Sequence, residues 1–206
     1  MTKADESRDT GGRDWEQLYG NEPVESLPWY YPELDPDFQR ELEKRGVHQG
    51  EALDLCTGPG TQAVALAARG LTVTATDIAE TALVKAGQRA RQAGLHINFR
   101  QNNILDNHLD TEFDFVIDRG CYHVFPVEDR KKYVRAVAGL LRPGGILLLK
   151  CFSNRQKGNL GPYRIHPEEI DEFFRPSFDV LSIKHTVFPG RKPEPKALFC
   201  VLRKRD

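Results

Sequence analysis

The chain has no apolar run approaching the ~20 residues needed to cross a bilayer. Its first dozen residues are charged and lack the apolar stretch of a secretory signal. A cytoplasmic protein with no membrane partner is expected. Cysteine is scarce: Cys56, Cys121, Cys151 and Cys200 are scattered, and no two form a C-x-x-C pair. That spacing argues against a disulfide framework or a zinc site and reads as reduced thiols, so no metal is expected. There is no excess of either charge, with 29 Lys and Arg against 30 Asp and Glu, a net charge of −1 and a pI near 6.6. This leaves no electrostatic case for binding nucleic acid or an anionic membrane. No internal repeat is visible. What remains is an ordinary globular composition, 39% hydrophobic and 29% charged over 206 residues, enough for one domain with a full core.

Residues 1–12 are short, polar and end in glycine, and are expected to be disordered. Residues 13–46 form a separate N-terminal stretch. Trp15 opens its ordered part, Pro23, Pro28 and Pro32 force extended chain, and Asp35-Pro36 caps a helix that runs to Arg45 and stops at Gly46. From residue 47 to 206 the pattern alternates. Strands are predicted at 51–56, 72–77, 96–101, 113–118 and 145–151, with helices at 62–69, 79–93 and 130–141 between them. Continuous apolar runs such as Ile146-Leu147-Leu148-Leu149 suit strands covered on both faces. The expected fold class is α/β, an open, doubly wound, Rossmann-like sheet. Beyond it come a helix at 166–175 and strands at 178–188 and 197–203. The Pro-rich linker at 189–195 is too short for a helical crossover, so the last two strands should be antiparallel neighbours.

The most informative segment is Asp54-Leu55-Cys56-Thr57-Gly58-Pro59-Gly60-Thr61, an apolar strand that runs through a glycine turn into an Ala-rich helix. Gly58 and Gly60 let backbone N–H groups approach a ligand closely at a helix N-terminus. The same glycines fit a loose dinucleotide fingerprint, or simply a turn that needs glycine. Asp54 discriminates between these ligands. A carboxylate there attracts the cationic amine of a methionine moiety and repels a pyrophosphate. Asp77, at the end of the next strand, suits a carboxylate that grips ribose hydroxyls, although it also suits the N-cap of the following helix. Ile78 can flank an adenine face, and Asn103 with Ile104 can read the adenine edge.

Taken in order, Asp54 to Gly60, Asp77-Ile78, Asn103-Ile104 and Asp118-Arg119-Gly120 resemble the class I S-adenosylmethionine-dependent methyltransferase family over about residues 50–203. Many members carry Asp where this chain has Asn103. The resemblance implies a seven-stranded sheet with a reversed final strand. It also implies S-adenosyl-L-methionine as cofactor, leaving S-adenosyl-L-homocysteine, and cofactor contacts at Asp54, Leu55, Gly58, Gly60, Asp77, Ile78, Asn103, Ile104 and Asp118. Asp118-Arg119-Gly120, then Asp129-Arg130-Lys131-x-Tyr133, Gly161-Pro162-Tyr163 and His166-Pro167-Glu168-Glu169-Ile170 look like the thiopurine S-methyltransferase branch and its thiol-methylating relatives. In that branch the cofactor-contacting Trp and the cleft Arg would fall on Trp15 and Arg119, with residues 13–34 as an aromatic lid.

The expected activity is methylation of a small-molecule thiol or other soft heteroatom, by a monomer or homodimer. In-line displacement at a sulfonium carbon needs alignment and dryness more than acid–base help. Arg119 stays charged and would stabilise a thiolate or hold an anionic group, and His123 could take a proton from the acceptor. Both also have plain structural readings, an ion pair and a capping histidine. Trp29, Tyr30, Tyr122 and Tyr163 are candidate substrate walls. The alternatives are O- or N-methylation of a small metabolite, a non-catalytic module that binds S-adenosylmethionine, and an NAD-dependent dehydrogenase. No Asn/Asp-Pro-Pro-aromatic motif follows the fourth strand, which disfavours methylation of nucleic-acid bases.

Overall fold

The computed structural model describes residues 13–158, 161–190 and 192–206; the stretch expected to be disordered, 1–12, lies outside these. Seven strands form one sheet: β1 (Glu51–Leu55), β2 (Thr72–Asp77), β3 (Asn98–Gln101), β4 (Phe113–Arg119), β5 (Leu141–Phe152), β6 (Phe178–Val187) and β7 (Lys196–Lys204). Their order is β3-β2-β1-β4-β5-β7-β6. The first five pair in parallel, and β7 runs antiparallel to both β5 and β6. The reversed final strand follows from the short Pro-rich connection, which cannot carry a crossover helix.

Alternation along the central strands explains their unbroken apolar runs. Leu147 and Leu149 of β5, with Leu198, Cys200 and Leu202 of β7, face a core closed by helices α5 (Val127–Gly139) and α6 (Pro167–Phe174). Ile146 and Leu148, with Phe199 and Val201, face a second core closed by α2 (Pro36–Lys44) and α3 (Thr61–Ala68). Each buried Leu contributes about 1.5–3 kcal/mol, so this two-sided burial holds the strand ends rigidly in place.

Three boundaries differ from the sequence expectation. Helix α5 starts at Val127, ahead of the predicted 130, because Pro126 ends the preceding chain and Glu128 and Asp129 suit a first turn. It stops at Gly139, and β5 begins at Leu141, which pairs with Phe113 before the strand bulges between Phe113 and Phe115. The turn residues Pro143 and Gly144 therefore lie within a strand. A further helix, α1 (Trp15–Asn21), forms the start of the ordered part, where no element had been assigned. Asp14 caps it by accepting the Gln17 N–H at 2.9 Å, but seven residues are too few to show a helical period.

Helix α1 packs on α4 (Glu80–Gln92). Glu16 accepts the Thr81 N–H at 3.1 Å, and Lys85 Nζ donates to the Tyr19 carbonyl at 2.5 Å. Tyr19, Val24 and Leu27 form a small core there with Ala79 and Ala82. Among the described residues, no helix is long and apolar enough to cross a membrane.

Candidate active site

The carboxyl ends of β1, β2 and β4 each present a buried aspartate: Asp54, Asp77 and Asp118 are 2%, 5% and 0% exposed. Three buried acids side by side are costly unless something compensates them. Their partners differ, and the difference sorts their roles.

Asp118 is saturated. It accepts the N–H groups of Gly120, Cys121 and Tyr122 at 2.8, 2.6 and 2.9 Å and the Tyr133 hydroxyl at 2.5 Å. It shapes the turn that presents Arg119, and its side chain has no lone pair to spare, leaving only its backbone for a ligand. Asp77 accepts Gly58 N–H at 2.8 Å through one oxygen and Ala79 N–H at 3.0 Å through the other. Capping and loop-fixing thus coexist, and with the Ile78 N–H as a third backbone donor the carboxylate keeps one lone pair for a hydroxyl. Burial raises its pKa.

Asp54 is the under-compensated member. Its carboxylate accepts the Thr57 hydroxyl at 2.5 Å and the Ala63 N–H. Burial, with the negative charges of Asp118 and Asp77 nearby, pushes its pKa up to about 7. A buried acid in that condition gains from a cation, and among the described residues no side-chain cation pairs with it. The loop beside it depends on glycine at two positions. Gly60 has φ +77°, and a Cβ there would come within 2.6 Å of Ala86 Cβ; Gly58 has φ +52°, and a Cβ would come within 2.7 Å of the Tyr19 hydroxyl. Tyr19, absent from the sequence expectations, therefore stands directly over the glycine loop. Its hydroxyl accepts a hydrogen bond from the Trp29 indole.

The other cofactor candidates take varied places. Ile78 is half exposed at 49%, an apolar side chain left open beside Asp77. Leu55 and Ile104 put their side chains into the main core, leaving only their backbones for a ligand. Asn103 is exposed, and its side-chain Oδ1 accepts the Leu105 N–H at 3.0 Å. Trp15 stacks on Tyr19 at 6.4 Å and meets Trp29 edge-on at 5.9 Å, so it belongs to the same aromatic cover.

Arg119 lies in a buried charge network. Its Nε donates to Asp35 at 2.9 Å and its Nη1 to the Trp29 carbonyl at 2.9 Å. The guanidinium sits between the rings of Tyr31 and Phe188, 5.5 and 5.3 Å away. Its Nη2 is buried with no acceptor. Asp35 also accepts Lys150 Nζ at 2.6 Å, and Lys150 bridges to Asp37 at 2.6 Å. The Asp35 N–H donates to Gln62 on α3, tying this network to the helix that follows the glycine loop. Asp35 was read only as a helix cap, and Lys150, Tyr31 and Phe188 were not placed at the site from sequence, although a lysine ending the run Leu147-Leu148-Leu149 is the kind of signal that marks a paired buried charge.

His123 is fully buried, and its Nδ1 accepts the Phe152 N–H at 2.8 Å. That bond places the ring proton on Nε2. Burial, with the charges of Arg164 and Arg130, pushes the imidazole pKa down to about 3. A neutral ring whose free lone pair is already engaged cannot act as a general base, which corrects the proton-acceptor expectation. His123→Ala should therefore leave the pH dependence of turnover unchanged between pH 6 and 9. It should lower stability by about 1–3 kcal/mol by orphaning the Phe152 N–H, read from urea unfolding. A loss of turnover that high pH rescues would contradict this.

One substrate-wall expectation is also corrected. Tyr122 is fully buried, donates to Glu169 at 2.7 Å and packs on Tyr133 and Phe174, so it fills a packing position. Tyr30 is half-buried, with Arg89 5.5 Å from its ring, and packs against the small N-terminal core. Tyr163 stays half-buried, with Arg130 5.1 Å from its ring. Cys56 and Cys121 form a disulfide, which overturns the expectation of four reduced thiols; Cys151 and Cys200 are free and buried. Strand pairing brings the first two together from 65 residues apart, a proximity invisible in their spacing.

Comparison with known proteins agrees with this geometry. Residues 52–145 match a family model described as a methyltransferase domain. The seven-stranded sheet with its antiparallel last strands is the Rossmann-like fold of methyltransferases, and the matched residues are similar to a methyltransferase domain. The chain is 31% identical over 144 residues to a 2-heptyl-1-hydroxyquinolin-4(1H)-one methyltransferase of Mycobacteroides abscessus, covering 67% of this chain and 63% of the relative. It is 30% identical over 108 residues to a ubiquinone biosynthesis O-methyltransferase of Rickettsia felis, covering 52% of this chain and 43% of that relative. The matched part thus spans less than two thirds of either relative. Among solved structures, one described by the conversion of a disulfide bond into a thioacetal group during echinomycin biosynthesis superposes with a TM-score of 0.81. It is 26% identical and covers 93% of this chain and 91% of the other. A 1,6-didemethyltoxoflavin-N1-methyltransferase of Burkholderia thailandensis, solved with its substrate and S-adenosylhomocysteine, shares the fold with a TM-score of 0.70. It is 21% identical and covers 95% and 83% of the two chains.

Proposed function

We propose that the protein is an S-adenosylmethionine-dependent methyltransferase acting on a small molecule whose acceptor is a thiol or another soft, readily ionised heteroatom. The observation that carries the reading is the state of the buried carboxylates. Asp54 has a pKa of about 7 and lacks a cation, while Asp77 and Asp118 are satisfied by backbone donors. A ligand amine seated at Asp54 supplies the missing charge, and a dinucleotide pyrophosphate would add to the repulsion. Asp77, with one lone pair left, would accept from a ribose hydroxyl, and the open Ile78 would meet the adenine.

When bound, S-adenosylmethionine supplies an already activated methyl group. The chain then has to seat the donor, orient the acceptor and exclude water. The cover of Trp15, Tyr19 and Trp29 does the last. Arg119, held by Asp35 and carrying one unpartnered amino group, favours an anionic acceptor. The neutral, occupied His123 offers no proton acceptor, so the acceptor must ionise by itself. A thiol, with a pKa of ~8.5, does so readily, whereas an alcohol does not. The similarity to the protein described by the disulfide-to-thioacetal conversion supports sulfur chemistry. The hydroxyquinolone relative supports a second reading, an acidic oxygen acceptor.

Methyl-labelled S-adenosylmethionine incubated with a panel of thiols, acidic hydroxyls, alcohols and amines tests this. Label is expected on thiols, with Arg119→Met losing most of the rate. Label only on acidic hydroxyls would favour the second reading, and label only on alcohols or amines would overturn both. Cofactor binding without turnover on the whole panel would favour a non-catalytic module.

A further inference from the structure

Cys56 and Cys121 occupy the carboxyl ends of β1 and β4, neighbouring parallel strands in which Leu55 pairs with Asp118. Their Cα atoms are 5.9 Å apart and they are joined as a disulfide, within the ~4.4–6.8 Å that such a bridge spans. Each belongs to a loop already placed at the candidate site. Cys56 lies between Asp54 and Gly58, held at φ 53°, a conformation that residues with side chains adopt uncommonly. Cys121 is the middle donor of the Asp118 turn that presents Arg119. Cys56 is exposed and Cys121 is buried at 3%. That pairing of an accessible thiol with a shielded partner is what a two-step exchange requires.

We propose that Cys56 and Cys121 form a reversible exchange site for low-molecular-weight disulfides, and that the closed bridge excludes S-adenosylmethionine. In the first step the Cys56 thiolate attacks the disulfide RSSR, forming Cys56–S–SR and releasing RS⁻. In the second the Cys121 thiolate attacks the Cys56 sulfur, forming the internal bridge and releasing a second RS⁻. Two protein thiols and one RSSR thus become one protein disulfide and two RSH, and a small thiol in excess reverses both steps.

The exclusion follows from what the bridged state covers. With the bridge closed, Asp54 is only 2% exposed and the Tyr19 hydroxyl lies on Gly58. The bridge ties together the loops after β1 and β4, the strands whose carboxyl ends carry Asp54 and Asp118, and so holds the glycine loop beside Asp54 in this closed arrangement. Reduction frees Cys56 to move with the glycine loop. By linkage the effect is mutual, so a bound cofactor should disfavour the bridge at equilibrium by the factor by which the bridge weakens binding. This rests on the reading of Asp54 as the amine seat.

The test uses the full chain treated with excess dithiothreitol or with glutathione disulfide. Thiols are counted by maleimide mass shift after denaturation, and S-adenosylhomocysteine binding is followed by calorimetry. The reduced protein should show four thiols and bind; the oxidised protein should show two and bind about tenfold more weakly or worse. Saturating S-adenosylhomocysteine should leave less of the bridge at equilibrium. Cys121→Ala and Cys56→Ser should each lose the response to glutathione disulfide. Equal affinity of the two forms would overturn the exclusion, and four thiols surviving the disulfide treatment would overturn the exchange site. If neither form binds, the cofactor reading fails and the exclusion with it, while the thiol count still decides the exchange site.

Discussion

Replacing Asp54 by Asn should weaken S-adenosylmethionine and S-adenosylhomocysteine binding about a hundredfold, because removing one member of a buried charge pair costs ~2–5 kcal/mol. The fold should survive, since Asn keeps the acceptor that holds the Thr57 hydroxyl at 2.5 Å. The wild-type affinity should also depend on pH in a defined direction. Asp54 has a pKa raised to about 7 by burial, and the amine is seated by the ionised form. Binding should therefore be full above pH 7 and fall about tenfold per pH unit below it. The Asn variant should show a flat profile over the same range. Stability of the unliganded protein should run the other way. A raised carboxyl pKa means that the native state binds more protons than the unfolded chain between about pH 4 and 7, so stability falls as pH rises through that window. Calorimetric titration over pH 5.5–8.5 with the two proteins reads both effects. A pH-independent wild-type affinity, or an Asn variant that binds normally, would remove Asp54 from the site.

Lys150→Met should produce the largest loss of stability among single changes at the site, about 3–5 kcal/mol, as expected when one partner of a buried charge cluster is removed. Lys150 is 1% exposed and bonds both Asp35 and Asp37 at 2.6 Å. Asp35 would keep Arg119. Asp37 would keep the Thr186 hydroxyl at 2.8 Å and Arg40. Burial opposes ionisation of Asp37, yet Lys150, Thr186 and Arg40 together hold its pKa below the usual value. The wild type therefore gains stability from Asp37 above the ordinary carboxylate range and loses it as pH falls through the lowered value. The Met variant should lose most of that acid-sensitive part. Urea unfolding at pH 7 and at about pH 2.5, below the ordinary carboxylate range, measures both. Lys150→Arg should recover part of the stability, and a Met variant as stable as wild type would show that the bridge adds nothing to the fold.

These two residues also show where the sequence was legible and where it was not. Asp54 could be read because its neighbours are local: an apolar strand before it and two obligatory glycines after it define its place. The alternation of strands and helices, and the short linker before β7, were local signals too, and they carried the parallel sheet and its reversed last strand. Lys150 depends on Asp35 and Asp37, more than a hundred residues earlier, and no spacing rule connects them. Tyr122 was read as a substrate wall on residue type alone, yet a tyrosine beside a cleft and a tyrosine in a core look alike until their neighbours are known. His123 failed for the same reason: its identity suggested a base, whereas the Phe152 N–H and its burial decide its chemistry. Asp118 looked like a ligand because it ends a strand at the right edge, but the three N–H groups that follow it in the chain turn back onto it.

Calorimetry of the reduced protein at pH 8 with S-adenosylhomocysteine and, separately, with NAD tests the central claim most directly. The buried, uncompensated Asp54 beside a glycine loop predicts one S-adenosylhomocysteine site per chain and no binding of the pyrophosphate-bearing NAD. Binding of NAD with none of S-adenosylhomocysteine would contradict it.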